Sequence, residues 1–123
     1  DTYNAARTAA ADYYDAAFSQ IPEIKIPARS TCSTHVFHQY TLRLTNGKRD
    51  ELVQYLTDKQ VPCMIYYPVP LHHQNAFKES ARPGLVLPVT EQLCREVFSL
   101  PIHSELTPEI QDIIIAAVQS YFQ

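Results

Sequence analysis

The chain has 123 residues, an apolar fraction of 46% and a formal net charge of −3. That length suits one domain with a core of its own, and so mild a charge gives no electrostatic reason to expect nucleic acid or a membrane surface as partner. No apolar run approaches the roughly 18 residues that span a bilayer, nothing reads as a signal peptide, and Cys32, Cys63 and Cys94 form no C-x-x-C pair, so free thiols in a reducing cytoplasm are expected.

Tyr3, Ala6, Ala10, Tyr13, Ala17 and Phe18 recur at spacings of three and four, the pattern of an amphipathic helix, and alanine is frequent there. A helix starting so close to Asp1 suggests a piece of something longer. Ile21 to Arg29, interrupted by Pro22 and Pro27, reads as an extended connector. From Thr34 to Leu44 the residues alternate. Val36, His38, Tyr40, Leu42 and Leu44 share one face, with His35, Phe37, Gln39, Thr41 and Arg43 on the other, which is the period of a strand. His38 is then expected on the buried face, and Phe37 on a second face that favours a partner. Asn46-Gly47 marks a turn. Arg49 to Lys59 follows as a helix presenting Leu52, Val53, Tyr55 and Leu56, and Cys63 to Tyr66 as a short strand. Asn75 to Gly84 is a polar loop with a helical turn. Pro88 to Val97 is a short helix, and Phe98 to Leu100 a strand stopped by Pro101. Thr107 as N-cap, Pro108 at the first helical position and Glu109 at the positive end of the dipole open the last helix. Its apolar stripe is Ile110, Ile113, Ile114, Ala117, Val118, Tyr121 and Phe122. This order predicts a two-layer α/β (α+β) sandwich: a small three-stranded, partly antiparallel sheet with helices over one face.

The chemistry-bearing residues exclude more than they assign. His35 and His38 would point to opposite faces of a strand. The adjacent His72 and His73 are expected to diverge, and no carboxylate stands at a familiar ligand spacing from either pair, so no metal site is expected. Cys63 and Cys94 lie among apolar neighbours and read as semi-buried thiols rather than nucleophiles. With only Gly47 and Gly84, no glycine-rich phosphate loop is possible. None of Lys25, Lys48, Lys59 and Lys78 lies in an apolar run that would desolvate it into a Schiff-base nucleophile.

One stretch stands apart: Ile65-Tyr66-Tyr67-Pro68-Val69-Pro70-Leu71-His72-His73-Gln74. The two prolines lack N–H donors and fix φ, and the residues before them are pushed to extended conformations. A stiff arm must leave the sheet here, carrying phenols, imidazoles and an amide that suit a polar, hydroxyl-rich ligand. On residue chemistry alone it could equally be a loop whose tyrosines pack on the protein.

Five segments then carry a resemblance: His38-Gln39-Tyr40-Thr41, Arg49-Asp50-Glu51-Leu52, Tyr66 to Gln74, Leu87-Pro88-Val89-Thr90-Glu91 and Leu100-Pro101-Ile102-His103. In this order and spacing they resemble the C-terminal small domain of the DegT/StrS-type sugar aminotransferases. The resemblance implies the aspartate-aminotransferase fold and a pyridoxal 5′-phosphate enzyme. Such an enzyme transfers an amino group from an amino acid, usually glutamate, to a nucleotide-linked keto sugar in polysaccharide or amino-sugar biosynthesis. It further implies that residues 1–123 are one domain of a homodimeric enzyme. The cofactor lysine and phosphate-binding residues would lie on a large N-terminal domain, leaving this part inactive and without cofactor when alone. For individual residues, the resemblance assigns Tyr66, Tyr67, His72 and Gln74 to the sugar site, with His72 and Tyr67 nearest the substrate, and places His38 and Tyr40 on the strand behind. A free-standing, non-catalytic sugar-binding or interaction domain is the alternative. One departure stands out: where the family has Gly-Ile after the second helix, this chain has Gln60-Val61. Either Gln60 takes the left-handed conformation usual for glycine there, or the helix ends by another route.

Overall fold

The computed structural model describes every residue except Lys78, Ala81 and Pro83, so those positions of the expected loop, and Lys78 of the lysine survey, lie outside the described residues. The described elements are α1 (Thr2–Phe18), β1 (Ile24–Lys25), β2 (Tyr40–Leu44), α2 (Arg49–Asp58), two 3-10 turns (Leu71–His73 and Asn75–Phe77), α3 (Pro88–Glu96), β3 (Val97–Leu100) and α4 (Pro108–Ser120). The strands form one sheet in the order β1-β2-β3, antiparallel throughout.

In β2, Tyr40, Leu42 and Leu44 are buried, and the register pairs Tyr40 with Leu100 and Leu42 with Phe98. These five side chains lie on one face and form the core with Ala11, Tyr14 and Phe18 of α1, Leu52 and Leu56 of α2, and Ile114 and Val118 of α4. The two-layer arrangement is therefore present. On the opposite face, the Thr41 and Ser99 hydroxyls share a hydrogen bond of 2.8 Å, and Arg43 pairs with Glu96 at the end of α3 at 2.7 Å.

Two expected strands differ. Cys63–Tyr66 reduces to a single bridge, in which Met64 exchanges both backbone hydrogen bonds with Ser99 at 3.0 and 2.8 Å. Pro62 and Pro68 close off pairing on either side. The third strand is instead Ile24–Lys25, inside the expected connector, where Ile24 faces Leu44. The long strand from Thr34 also begins only at Tyr40. Phe37 has φ +47°, in the left-handed region that bulky residues seldom occupy. That twist reverses the alternation before Tyr40. Phe37 turns into the core, with the Arg29 guanidinium 4.2 Å from its ring centroid, and Val36 and His38 turn out to solvent. The expectation of an outward Phe37 and an inward His38 is thus inverted. Arg7 supports the turn by donating to the Phe37 carbonyl at 3.1 Å and the Ile102 carbonyl at 3.3 Å.

The helices form as the sequence indicates, but two stripes are rotated. Tyr14, not Tyr13, is buried on α1, and Tyr3 is exposed. On α4, Gln111 and Ile115 are buried while Ile110 and Ile113 are exposed. The reason is that α1 and α4 pack against each other as well as the sheet. Gln111 Nε2 donates to the Ala10 carbonyl at 2.8 Å, satisfying a polar group in that buried seam. Thr107 caps α4 by accepting from the Ile110 N–H.

Candidate functional site

The arm starts where α2 ends. The Gln60 N–H donates to the Thr57 carbonyl and the Val61 N–H to the Leu56 carbonyl, both at 2.9 Å, while Gln60 takes φ +60°. This is a Schellman ending with glutamine in the glycine position, the first of the two routes considered above. Val61 is buried, and Pro62 and Cys63 lead to the Met64 bridge. Beyond it the backbone has no sheet partner. Tyr66 and Tyr67 stand 50% and 69% exposed.

After Pro68 and Pro70, the chain closes into the 3-10 turn, with the His73 N–H donating to the Pro70 carbonyl at 2.9 Å and the Gln74 N–H to the Leu71 carbonyl at 3.0 Å. Gln74 Nε2 ties back to the Val69 carbonyl at 3.1 Å, which stiffens the arm from within. His72 turns inward. Its side chain is only 7% exposed, and its Nε2 lies 3.1 Å from Glu91 Oε1 on the first turn of α3. The same oxygen accepts the N–H of Leu87, the residue that precedes the first helical turn, at 3.0 Å. The Leu87 N–H and then His72 hold the Glu91 carboxyl below its ordinary range. His73 Nε2 stands 3.8 Å from the same oxygen. The two adjacent imidazoles therefore converge, against the expectation. In a 3-10 turn neighbouring side chains stand about 120° apart, not on opposite faces as in a strand.

Two clefts meet at Tyr66. One, of about 330 Å³, is lined by Tyr66, His38, Gln39, Cys63, Pro101 and His103, among others. The second, of about 460 Å³, is lined by Tyr66, Tyr67, Val69, His73, Gln74 and Asn75, among others. Of the six residues singled out from the sequence, Tyr66, Tyr67, Gln74 and His38 line these clefts. His72 sits behind the arm against Glu91. Tyr40 is buried and donates its phenol to Asp15 Oδ1 at 2.7 Å, with burial, then that bond, pushing its pKa upward. His103 was not singled out as a site residue, although the Leu100-Pro101-Ile102-His103 segment carried the signal. Cys63 is half-buried, and burial raises its pKa, so it is not poised as a thiolate.

This fold, with a polar aromatic arm beside a small antiparallel sheet, is shared with a solved DegT DnrJ EryC1 StrS aminotransferase from Brucella abortus, with a TM-score of 0.84 at 34% identity over 97% of this chain and 31% of that one. The solved structure of S. venezuelae DesV superimposes with a TM-score of 0.91 at 32% identity, covering 98% of this chain and 32% of that one. Residues 1–119 match the DegT/DnrJ/EryC1/StrS aminotransferase family, and the chain belongs to it. Among its relatives, the erythromycin biosynthesis sensory transduction protein EryC1 of Saccharopolyspora erythraea is 36% identical over 98% of this chain and 32% of its own length. The dTDP-3-amino-3,4,6-trideoxy-alpha-D-glucose transaminase of Micromonospora megalomicea is 33% identical over 97% of this chain and 32% of its own length. The chain thus spans about a third of the relatives it matches.

Proposed function

We propose that residues 1–123 are the C-terminal small domain of a pyridoxal-phosphate-dependent aminotransferase that moves an amino group, from glutamate, to a nucleotide-linked keto sugar for polysaccharide or amino-sugar biosynthesis. The observation that carries this reading is the pair of clefts joined at Tyr66, in a chain of this family, with two exposed phenols held on a clamped arm. Phenols and amides are suited to exchanging hydrogen bonds with sugar hydroxyls. The prolines, the Gln74 tie and the His72–Glu91 contact fix the arm before substrate arrives, so its contribution is orientation, not bond-making. In this reading Tyr66, Tyr67, Gln74 and His38 contact the sugar. His72 and Tyr40 hold the arm and β2 from behind.

The cofactor of such enzymes supplies an electrophilic carbonyl for the amino group. Among the described residues, no lysine lines either cleft. Lys25 is exposed, Lys48 lies 3.8 Å from Glu51, and Lys59 stands 5.0 Å from the Tyr55 ring centroid. These residues do not make a holder for the cofactor, and no step through it is assigned to them. A large domain elsewhere in the enzyme would hold it. The apolar rim of Tyr66, Tyr67, Leu71, Val86 and Val89, all exposed, suits contact with that domain or with the second subunit of a homodimer. No described helix is long and apolar enough to cross a membrane; the enzyme proposed here is a cytoplasmic one.

The test is kinetic, on the full-length enzyme. Tyr67→Phe and Gln74→Ala raise KM for the keto sugar and leave KM for the amino donor unchanged. Equal losses for both substrates would count against a sugar-facing arm.

A further inference from the structure

We propose that His72, His73 and Glu91 form a binding site for a divalent transition-metal ion of the zinc class, which clasps the arm to the start of α3. Glu91 Oε1 lies 3.1 Å from His72 Nε2 and 3.8 Å from His73 Nε2, and one ligand atom from each residue falls within 4.8 Å of the others. A tetrahedral ion with metal–ligand bonds of about 2.0–2.1 Å holds its ligand atoms about 3.3–3.4 Å apart. The two separations from Glu91 bracket that value, and the imidazole nitrogens lie within 4.8 Å of each other, so closure requires the two rings to rotate toward a common point.

The donor set points to the ion. Two neutral imidazoles with one carboxylate, and a fourth position left to water, suit zinc and its neighbours in the transition series. Magnesium and calcium take oxygen ligands instead. The supports around the ligands are already in place. The Leu87 N–H holds Glu91 Oε1 at 3.0 Å, as the carboxylates of metal sites are commonly held by an outer hydrogen bond. His72 is fixed by burial, and His73, whose side chain is 50% exposed, leaves an entry path.

Binding changes the His72 tautomer. Without metal, its Nε2–H can donate to Glu91; with metal, Nε2 gives its lone pair to the ion and the proton sits on Nδ1. No covalent or redox step is involved. The site needs neither sugar nor cofactor to take up the ion, so its test is independent of the sugar chemistry proposed above.

The experiment titrates the metal-stripped chain at neutral pH with zinc against a chromogenic chelator, and repeats the titration with cobalt(II) to read its visible spectrum. One ion per chain is expected, with a tetrahedral cobalt spectrum. His73→Ala, at a half-exposed position where folding is spared, and Glu91→Gln each weaken binding about tenfold or more. Cys32→Ser, which removes the exposed thiol, leaves binding unchanged. The proposal is overturned if no zinc is retained, if binding survives both ligand substitutions, or if Cys32→Ser alone abolishes it.

Discussion

Gln60→Gly should stabilise the domain, by an amount the ending of α2 allows to be worked out. Gln60 holds φ +60° because the two 2.9 Å hydrogen bonds that close the helix require it. A side chain in that region costs roughly 1–2 kcal/mol. Glycine removes that cost but gives the unfolded chain more freedom, returning about 0.4–1 kcal/mol to the unfolded side. The Gln60 side chain is exposed, so little packing is lost. The net gain is about 0.5–1 kcal/mol, which for a domain of this size raises Tm by about 2–4 °C. Thermal and urea unfolding followed by circular dichroism measure it, with Gln60→Ala as control. Alanine keeps the strained backbone and gains nothing. A Gln60→Gly variant that melts at or below the parent temperature, with an unchanged urea m-value, would refute the reasoning.

Two further perturbations probe the frame around the arm. Tyr40→Phe removes the 2.7 Å bond to Asp15, whose carboxylate remains paired with Arg29, and should cost about 1–2 kcal/mol in urea unfolding; a cost below about 0.3 kcal/mol would mean that bond contributes little. Acidification should release the arm. The folded state binds the ionised form of Glu91, so its pKa lies below the ordinary 4.5. The associated stability is therefore present above that value and lost as pH falls through the lowered one. Carboxyl titration by NMR, with hydrogen exchange of the Leu87 amide, should show both changes together below pH 4.5. A Glu91 midpoint at or above 4.5 contradicts the clamp.

Much of this was legible in the residues, for physical reasons. Thr107-Pro108-Glu109 announces α4 because capping chemistry is local, and the alternation of Tyr40, Leu42 and Leu44 announces β2 because one face is buried. What escaped depended on tertiary placement. The two-residue strand at Ile24 forms only because Leu44 is opposite it. The inversion at Phe37 needs a positive φ that no pattern of phenylalanine and histidine encodes. In the site, composition picked out the arm, but not which side chains face outward. His72 turns inward because Glu91, 19 residues further on, is brought to it by the packing of α3. That separation resembles no local motif, so neither the clamp nor the convergence of His73 on the same carboxylate could be read in advance.

The central claim is that the arm forms one wall of a sugar pocket whose reactive half lies on another domain. Single-turnover measurement of the two half-reactions in the full-length enzyme tests it most directly. Tyr67→Phe should weaken sugar binding in the second half-reaction about tenfold, the value of one lost hydrogen bond of about 1.4 kcal/mol, while the amino-donor half-reaction and cofactor content stay at parent levels. Loss of bound cofactor in that variant, or equal slowing of both half-reactions, would contradict the account.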